Sequence, residues 1–459
     1  MLKDLRSFLA LLEKEGELVR ISRPVSLVYE IAAGMRRTSD IGGPALLFEE
    51  VTGFDMPVVG ALYASRRRAL LGLETTQAEF FDRYQRGFRN LIPPKLVDWG
   101  PCKEVVLKGE EADLARLPIC THSRKDAGAF ITMGLQIAKD PEFGVNVSIC
   151  RMQLFDAHTL GLLASIHQNL GLYYHRAEQR GEPLPMAVTI GNDPYTTLAS
   201  QFTGNVYLDE LAAAGGLMGE PIEVVRCETI DVEVPATSEI VIEGEMLPHE
   251  RRAEGPFGEF PGYYSPAGER PIFKVKAITH RRNPIYLTGL TGMPVTDNHV
   301  MRQITWEPLL YERVKGICPT VRDVCFTDGG AGTLHAVVSI RPQYKSQARD
   351  VMLAAFQTER IRPKLVIVVD DDIDPRDPFQ VEWALAFRMQ GDRDILIIPR
   401  GIGNALDPSC PESRVSALVG IDATKPFGEP YAEVVDVPGA DSFEIPGWTD
   451  RPGSGRGRR

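Results

Sequence analysis

Two glutamates lie on either side of a stiff glycine- and proline-containing turn in the segment Glu254-Gly-Pro-Phe-Gly-Glu259. Carboxylates held close together repel each other, and this repulsion raises the pKa of at least one of them. A nearby cation can keep one carboxylate ionised while the other stays protonated and able to donate. The segment therefore contains the groups that a proton-transfer step requires, although a surface turn with two solvated acids would have the same sequence.

Arg151 is the candidate cation for these two acids. It lies in the run Val145–Phe155, whose apolar and β-branched composition predicts a strand. A charged residue inside a buried strand normally has a partner or a task. Asn146 precedes Arg151 by five positions, so a regular strand would point the two side chains to opposite faces. Either a bulge intervenes or the two residues serve different parts of one site; an edge-strand arginine in a surface ion pair is the alternative.

A second set of residues could hold a metal ion. His167 falls on the apolar face of a helix predicted over residues 160–180, and Glu210 lies in a short apolar helix predicted over 208–214. Together with Asn146 they supply an imidazole, a carboxylate and an amide, which suit Mg²⁺ or Mn²⁺ better than a thiolate-binding metal. Their spacing is too wide to form a motif, and a lone histidine on an apolar helix face is more often a core residue.

The elements that would position these residues fall into successive parts of a multidomain chain of the α+β or α/β class. Short β-type runs separated by turn residues predict an antiparallel barrel or sandwich in the middle, and alternating strands and helices predict an α/β domain near the end. The predicted parts are an N-terminal α/β domain (1–105), the β-rich domain (106–315), a C-terminal α/β domain (316–445) and a disordered Gly/Arg-rich tail (446–459).

Composition limits the possible partners and compartments. The net charge of −11 argues against non-specific binding to nucleic acids or anionic membranes, since both require a basic surface. Seven cysteines without a Cys-x-x-Cys pair argue against a disulfide framework or a structural zinc site. The N-terminus has no apolar stretch like that of a signal peptide. We therefore expect a cytoplasmic protein without a membrane or nucleic-acid partner.

Several motifs resemble, in the same order, those of the UbiD-type decarboxylases, which use prenylated FMN. The strongest is Glu254–Glu259 followed by Gly262-Tyr-Tyr264, and the next is Asn146-x-Ser-Ile-x-Arg151. Supporting motifs are Cys227-Glu-Thr-x-Asp231, Val234-Pro-Ala-Thr-Ser-Glu239, Asp370-Asp-Asp-Ile-Asp374 and Gly420-Ile-Asp-Ala-Thr-Lys425. The resemblance extends over nearly the whole chain, up to about residue 430.

The resemblance implies a catalytic set of Arg151, Glu254 and Glu259, in which Glu259 donates the proton and Glu254 pairs with the arginine. The substrate would be an aromatic, heteroaromatic or α,β-unsaturated carboxylic acid that bonds covalently to the prenylated flavin, and its decarboxylation would be reversible. Carbanion chemistry of this kind needs a cofactor as electron sink, because no side chain delocalises the charge.

The resemblance also implies how the cofactor is held. Asn146, His167 and Glu210 match ligands of Mn²⁺ (or Mg²⁺), which anchors the cofactor phosphate, and K⁺ is a further candidate cation. The positions that match residues at the flavin are Thr132, Ser148, Ile149 and Arg151, in addition to the three metal ligands. A phosphate bridged by a metal needs no phosphate-binding loop, and the chain has none.

Family members have a split β-barrel flavin-binding domain and a C-terminal α/β oligomerisation domain, so the resemblance predicts this fold and a homo-oligomer, either dimer or hexamer. A flavin prenyltransferase is the expected supplier of the cofactor. The chain departs from some members at Ile166, where they carry a glutamine, which puts transfer of cinnamate-type specificity in doubt. His299 and Arg302 could contact a second polar group of the substrate, although polar capping of a loop is the simpler interpretation.

Two other functions remain open at this point. A split-barrel flavin oxidoreductase would need a nicotinamide site, and the sequence has no dinucleotide fingerprint. A non-catalytic flavin-binding protein would have no need for the arginine and the two glutamates.

Overall fold

The structure is a computed structural model that describes residues 1–166, 168–202, 205–357, 361–410, 414–439 and 443. The chain divides into two compact units, Met1–Pro308 and Leu309–Arg459. The finer division into an N-terminal, a β-rich and a C-terminal domain stays a prediction.

The first unit begins with helices and short strands. These are α1 (Leu5–Lys14), β1 (Leu18–Ile21), α2 (Glu30–Asp40), β2 (Ala45–Phe48), β3 (Val58–Gly60), α3 (Arg66–Gly72), α4 (Phe80–Arg89) and β4 (Lys95–Leu96). Asp4 caps α1, and the helix buries the apolar stripe Leu5, Phe8, Leu9 and Leu12, because residues at this spacing share one helix face.

The rest of the first unit is mainly β. Its elements are β5 (Val105–Lys108), β6 (Phe130–Ile131), β7 (Leu135–Asp140), β8 (Gly144–Ile149), β9 (Met152–Asp156), β10 (Thr159–Leu162), α5 (Asn169–Gln179), β11 (Leu184–Ile190), α6 (Pro194–Ala199), α7 (Glu210–Met218), β12 (Glu223–Arg226), β13 (Glu233–Pro235), β14 (Ile240–Glu254), β15 (Phe257–Gly258), β16 (Tyr264–Ser265), β17 (Gly268–His280) and β18 (Tyr286–Leu287). Helix α8 (Asp297–Lys315) begins in the first unit and ends in the second.

A large antiparallel sheet forms the core of this β-rich region. Its strands follow the order β6-β9-β10-β17-β14-β11-β7-β8, and β5 pairs with β17. No strand pairing between β6 and β8 closes this sheet within the described residues, so the split-barrel architecture is not established by the strand pairing. Smaller sheets have the orders β1-β2-β3-β18, β13-β12-β4 and β15-β16.

Two local predictions are wrong. The run Val145–Phe155 is not one strand, because β8 ends at Ile149 and β9 begins at Met152. The helix predicted from residue 160 begins only at Asn169, because residues 159–162 form β10 and pair with β9 and β17. Apolar runs of this length fit a strand or a helix equally well from sequence alone, and pairing with distant strands decided the outcome.

The second unit has a five-stranded mixed sheet of order β19-β20-β21-β23-β22. Its elements are β19 (Val321–Phe326), β20 (His335–Ile340), α9 (Gln347–Phe356), β21 (Leu365–Asp370), α10 (Pro378–Arg388), β22 (Ile395–Ile402) and β23 (Val415–Ala423). The three inner strands run parallel, and residues of these strands bury a core against α10. Parallel strands joined by helices give the α/β alternation that the sequence predicts here.

None of the helices in the described part of the chain has both the length and the apolar character needed to span a bilayer.

Gly244 lies in β14 opposite Val275 of β17, and a Cβ atom there would lie 2.1 Å from the carbonyl oxygen of Lys274. We expect Gly244→Ala to lower the free energy of unfolding by about 1–3 kcal/mol, because backbone cannot move aside as a flexible side chain can. Denaturant unfolding measures this loss. Gly329→Ala is the control, since nothing lies within 4 Å of its added Cβ, and equal losses in both variants would contradict the prediction.

Candidate active site

Arg151 lies in the two-residue link between β8 and β9. The buried side chain of Gln136 in β7 fixes this link, because its amide nitrogen donates to the Cys150 carbonyl (2.9 Å) and its amide oxygen accepts from the Cys150 backbone N–H (2.6 Å). A break in the strand therefore separates Asn146 in β8 from Arg151. Because Arg151 lies outside both strands, the alternation of strand faces does not determine the direction of its side chain.

The guanidinium of Arg151 binds both predicted acids. Its Nε donates to Oε1 of Glu254 (2.8 Å) and its Nη2 to Oε2 of the same carboxylate (3.1 Å), which makes a bidentate pair. Its Nη1 donates to Oε1 of Glu259. The guanidinium carbon also lies 5.1 Å from the ring centre of Phe257, within the range of a cation–π contact. Arginine and both acids therefore form one cluster.

The two acids differ in exposure. The side chain of Glu254 is 0% exposed and that of Glu259 is 12% exposed. Glu254 ends the long strand β14, and the next residue, Gly255, has a positive φ of 85°, a conformation that glycine adopts without steric cost. Glu259 follows β15 in a short hairpin, where its N–H donates to the Tyr263 carbonyl. Of the two carboxylates, Glu259 is the one with access to a reactant.

Two further polar residues, neither of them predicted from the sequence, support the cluster. Asp126 accepts hydrogen bonds from the N–H groups of Ser123 (2.7 Å) and Gly258 (2.9 Å). Burial raises the pKa of Asp126, while its backbone hydrogen bonds and the charge of Arg151 oppose that rise. Gln153 accepts from the N–H of Gly255 (2.8 Å). Gln153, like Gln136, is an amide side chain within an apolar strand, and that pattern could have identified both.

The structure places two of the three predicted metal ligands on neighbouring elements. Glu210 is the first residue of α7, and its Oε2 accepts a hydrogen bond from the N–H of Val147 (2.9 Å), the neighbour of Asn146. Asn146 is buried and donates to Oγ of Ser148 (3.2 Å). His167 lies outside the described residues. Amide and carboxylate oxygens fit Mn²⁺ or Mg²⁺, but the described residues contain no group of three His, Cys, Asp or Glu side chains arranged for a metal.

Thr132 and Ile149, two of the predicted flavin contacts, line one pocket. Its other walls include Met133, Leu290 and Met301, and Asn298 contributes a buried amide oxygen without a hydrogen-bond partner among the described residues. Apolar walls with a few fixed polar groups are typical of sites for planar organic cofactors. The side chains at this position therefore have the chemistry of a flavin contact surface, and Asn298 provides a polar group that a ligand could engage.

The predicted substrate contacts His299 and Arg302 lie in α8 and meet the residue after Glu259. His299 accepts from the N–H of Thr296 at Nδ1 (3.0 Å) and donates from Nε2 to the carbonyl of Phe260 (2.7 Å). The Arg302 guanidinium carbon lies 4.0 Å from the ring centre of Phe260. Burial lowers the pKa of His299 to about 4 and that of Arg302 to about 10. In this conformation both nitrogens of His299 have protein partners, so its clearest contribution is to position the hairpin that carries Glu259.

Three family models match successive parts of the chain. They describe the N-terminal domain (residues 9–86), the Rift-related domain (95–294) and the C-terminal domain (299–423) of 3-octaprenyl-4-hydroxybenzoate carboxy-lyase, named UbiD.

Individual relatives match over nearly their whole length. The UbiD-class enzyme HmfF from Pelotomaculum thermopropionicum, solved in complex with FMN, is 41% identical with a TM-score of 0.90, covering 96% of this chain and 99% of that one. An evolved dimeric form of HmfF in complex with prFMN is 39% identical with a TM-score of 0.88 and the same coverage. Vanillic acid decarboxylase from Sedimentibacter hydroxybenzoicus is 32% identical with a TM-score of 0.86, covering 96% and 97%. An uncharacterised protein from Archaeoglobus fulgidus is 36% identical, with 92% of each chain covered.

Arg151→Met would leave the carboxylates of Glu254 and Glu259 facing each other without their cation. We expect the free energy of unfolding to fall by about 3–5 kcal/mol, since an uncompensated buried charge is costly. Adding Glu254→Gln to this variant should restore part of the loss, because it removes one of the two charges. Denaturant unfolding at neutral pH measures all three proteins.

Arg252→Met is the matched control for this series. Arg252 pairs with Asp156 at the surface, where both side chains are about half exposed, and a surface ion pair contributes at most about 1 kcal/mol. A loss in Arg151→Met no larger than in this control, or a double variant less stable than Arg151→Met, would contradict the assigned electrostatics.

Proposed function

The chain belongs to the UbiD family of carboxy-lyases, and from this premise we propose how its buried arginine and two glutamates remove CO₂ from a carboxylic acid. The chain is a prenylated-FMN-dependent decarboxylase of aromatic acids. The observation that carries the mechanism is the binding of both Glu254 and Glu259 by the single guanidinium of Arg151. When bound, prenylated FMN supplies the electron sink for the charge left on carbon as CO₂ departs.

Glu259 is the proposed proton donor. It is the more exposed of the two acids, and it lies on a short hairpin rather than in the large sheet. A general acid must reach the reacting carbon of the substrate, and the fully buried Glu254 is less suited to do so. Protonation of the product carbon by Glu259 completes decarboxylation, and in the reverse direction its carboxylate accepts the same proton.

Arg151 and Glu254 have the complementary role. The bidentate contact with Glu254 fixes the plane of the guanidinium, and a fixed cation in a dry site stabilises developing negative charge without reorganising. We propose that Arg151 lies beside the reacting carboxylate and directs Glu259 towards it.

The cofactor would be held by the pocket and by the metal ligands. Thr132, Ser148 and Ile149 would contact the flavin, and Asn146 and Glu210, together with His167, would bind Mn²⁺ or Mg²⁺ at its phosphate. Glu210 supports this assignment because it already joins α7 to β8, the strand that carries Asn146. We propose K⁺ as a second cation of the cofactor site.

The remaining proposals follow from family membership. The β-rich region would be a split barrel within the order of domains predicted for residues 1–105, 106–315 and 316–445. The chain would form a cytoplasmic homo-oligomer, through its C-terminal domain, and would receive its cofactor from a flavin prenyltransferase. The evolved dimeric form of HmfF supports assembly as a property of such chains.

The substrate we propose is an aromatic or heteroaromatic acid rather than an acyclic acrylic acid. One relative is a vanillic acid decarboxylase, and others are decarboxylases of 3,4-dihydroxybenzoic acid. Arg302 and His299 flank Phe260, next to the proton donor, which is where a polar substituent of such an acid would be recognised. Neither an oxidoreductase nor a non-catalytic flavoprotein requires a buried arginine shared by two glutamates.

Glu259→Gln should abolish turnover while flavin binding survives. A general acid contributes about 10²–10⁴-fold, so kcat should fall by about 100-fold or more. The chain is co-expressed with a flavin prenyltransferase, its absorbance spectrum is recorded, and CO₂ release and deuterium exchange into the product are measured over a panel of aromatic acids.

The control for this variant is Glu269→Gln, which changes an exposed glutamate of β17 and should keep native activity. If Glu259→Gln keeps native turnover, Glu259 is not the proton donor. Loss of the flavin spectrum in this variant would instead assign Glu259 to cofactor binding.

Glu210→Gln should weaken Mn²⁺ binding by about tenfold or more, since removal even of indirect partners of a metal costs about 10–100-fold in affinity. The amide oxygen can still accept from Val147, so the fold should survive. Calorimetric titration of Mn²⁺ in the presence of FMN measures the affinity. Glu250→Gln, at an exposed position, is the control, and an unchanged Mn²⁺ affinity in Glu210→Gln would rule out Glu210 as a ligand.

A further inference from the structure

Three buried side chains outside the Arg151 cluster, those of His122, Thr288 and Thr132, form a continuous series of hydrogen bonds, which we call the relay. Nε2 of His122 lies 3.0 Å from Oγ1 of Thr288, and that oxygen lies 3.2 Å from Oγ1 of Thr132. Thr132 also accepts from the N–H of Gly289 (3.1 Å). All three side chains are buried, with exposures of 8% for His122, 1% for Thr288 and 7% for Thr132. The relay ends at the pocket that Thr132 lines.

The protonation of His122 sets the direction in which the hydrogen bonds of the relay are donated. Burial lowers the pKa of His122 to about 4, so its imidazole is neutral at physiological pH and carries one proton. Nδ1 has no hydrogen-bond partner among the described residues. A buried N–H without an acceptor is costly, and orphaned N–H groups are rarer than unsatisfied acceptors. The proton therefore belongs on Nε2, which donates to Thr288.

The two hydroxyl groups must then point the same way. Because the oxygen of Thr288 accepts from His122, its proton goes to a neighbouring acceptor. The neighbours are the oxygen of Thr132 and the thiol of Cys120, and sulfur is the weaker acceptor. The oxygen of Thr132 accepts from both Thr288 and Gly289, which uses both of its lone pairs. The hydroxyl proton of Thr132 therefore points away from Thr288 and Gly289.

We propose that His122 and Thr288 are positioning residues that make the Thr132 hydroxyl a hydrogen-bond donor to an acceptor atom of the bound flavin. The inference rests on the proposed function, because it takes the pocket at Thr132 to be the flavin site. With the opposite tautomer of His122, Thr288 would donate to Nε2 and Thr132 would donate to Thr288. Thr132 would then have no proton to donate to the flavin. The histidine thus acts on the cofactor through two threonines, without touching it.

A double-mutant cycle with FMN as the probe tests this relay. The variants are His122→Phe, which removes the Nε2 donor, Thr288→Val and Thr132→Val, which remove the hydroxyl groups, and the combination of each of the first two with Thr132→Val. Each single change should weaken FMN binding about fivefold, the value of one neutral hydrogen bond. Once Thr132 has lost its hydroxyl, neither upstream change should weaken binding further. FMN affinity is measured by titration of the purified chain, and the visible spectrum of the bound flavin is recorded with it.

Two further variants separate the relay from packing. The amide nitrogen of glutamine can take the place of Nε2, so His122→Gln should restore most of the native affinity. Thr197→Val removes another buried hydroxyl, which donates to the carbonyl of Asp193, and should bind FMN as the native chain does. If His122→Phe fails to fold, the cycle between Thr288 and Thr132 decides the same question.

Additive losses in the cycle, or native affinity in both His122→Phe and Thr288→Val, would overturn the relay while leaving the flavin site intact. Failure of the native chain to bind FMN at all would overturn the proposed function as well as the relay. The two ideas can therefore fail separately.

Discussion

The burial of one guanidinium with two carboxylates is the constraint on which the site depends. Removing three charges from water costs several kcal/mol per ion, and only close, well-directed contacts offset that cost. The structure meets this requirement with a bidentate contact to Glu254, a second contact to Glu259 and the face of an aromatic ring. Contacts that fix the arginine, such as the two hydrogen bonds between Gln136 and Cys150, therefore contribute to the site along with the charged groups themselves.

The two glutamates reach the arginine from elements of different size and exposure. Glu254 ends a long strand in the middle of the large sheet, whereas Glu259 belongs to a two-stranded hairpin. The hairpin is held from several sides, by Asp126 at Gly258 and by His299 at Phe260. A fixed carboxylate suits an ion pair and a carboxylate on a smaller, partly exposed element suits proton transfer. The proposed division of roles follows this physical difference.

The same constraint applies to the proposed flavin pocket at Thr132. Its lining combines apolar side chains with buried polar ones such as Thr132 and Asn298. The hydrogen-bond directions of buried polar groups are set by the protein around them. The Thr132 hydroxyl is an example, because two donors occupy its lone pairs. In the proposed relay, a buried histidine without direct contact to the flavin makes the Thr132 hydroxyl a hydrogen-bond donor to it.

Residue types and motif order were enough to predict the class of reaction and the family. The glutamate pair, the arginine and the order of the motifs were predicted without the fold, because residue types and their order can be read directly from the chain. The sequence did not determine the break between β8 and β9, the strand at 159–162 that replaced a predicted helix, or the supporting roles of Gln136 and Asp126. These depend on contacts between residues far apart in the chain, such as the 103 positions between Arg151 and Glu254. Local periodicity contains no information about such contacts. The direction of the arginine and the accessibility of each carboxylate therefore follow from the packing of distant segments and not from any local pattern.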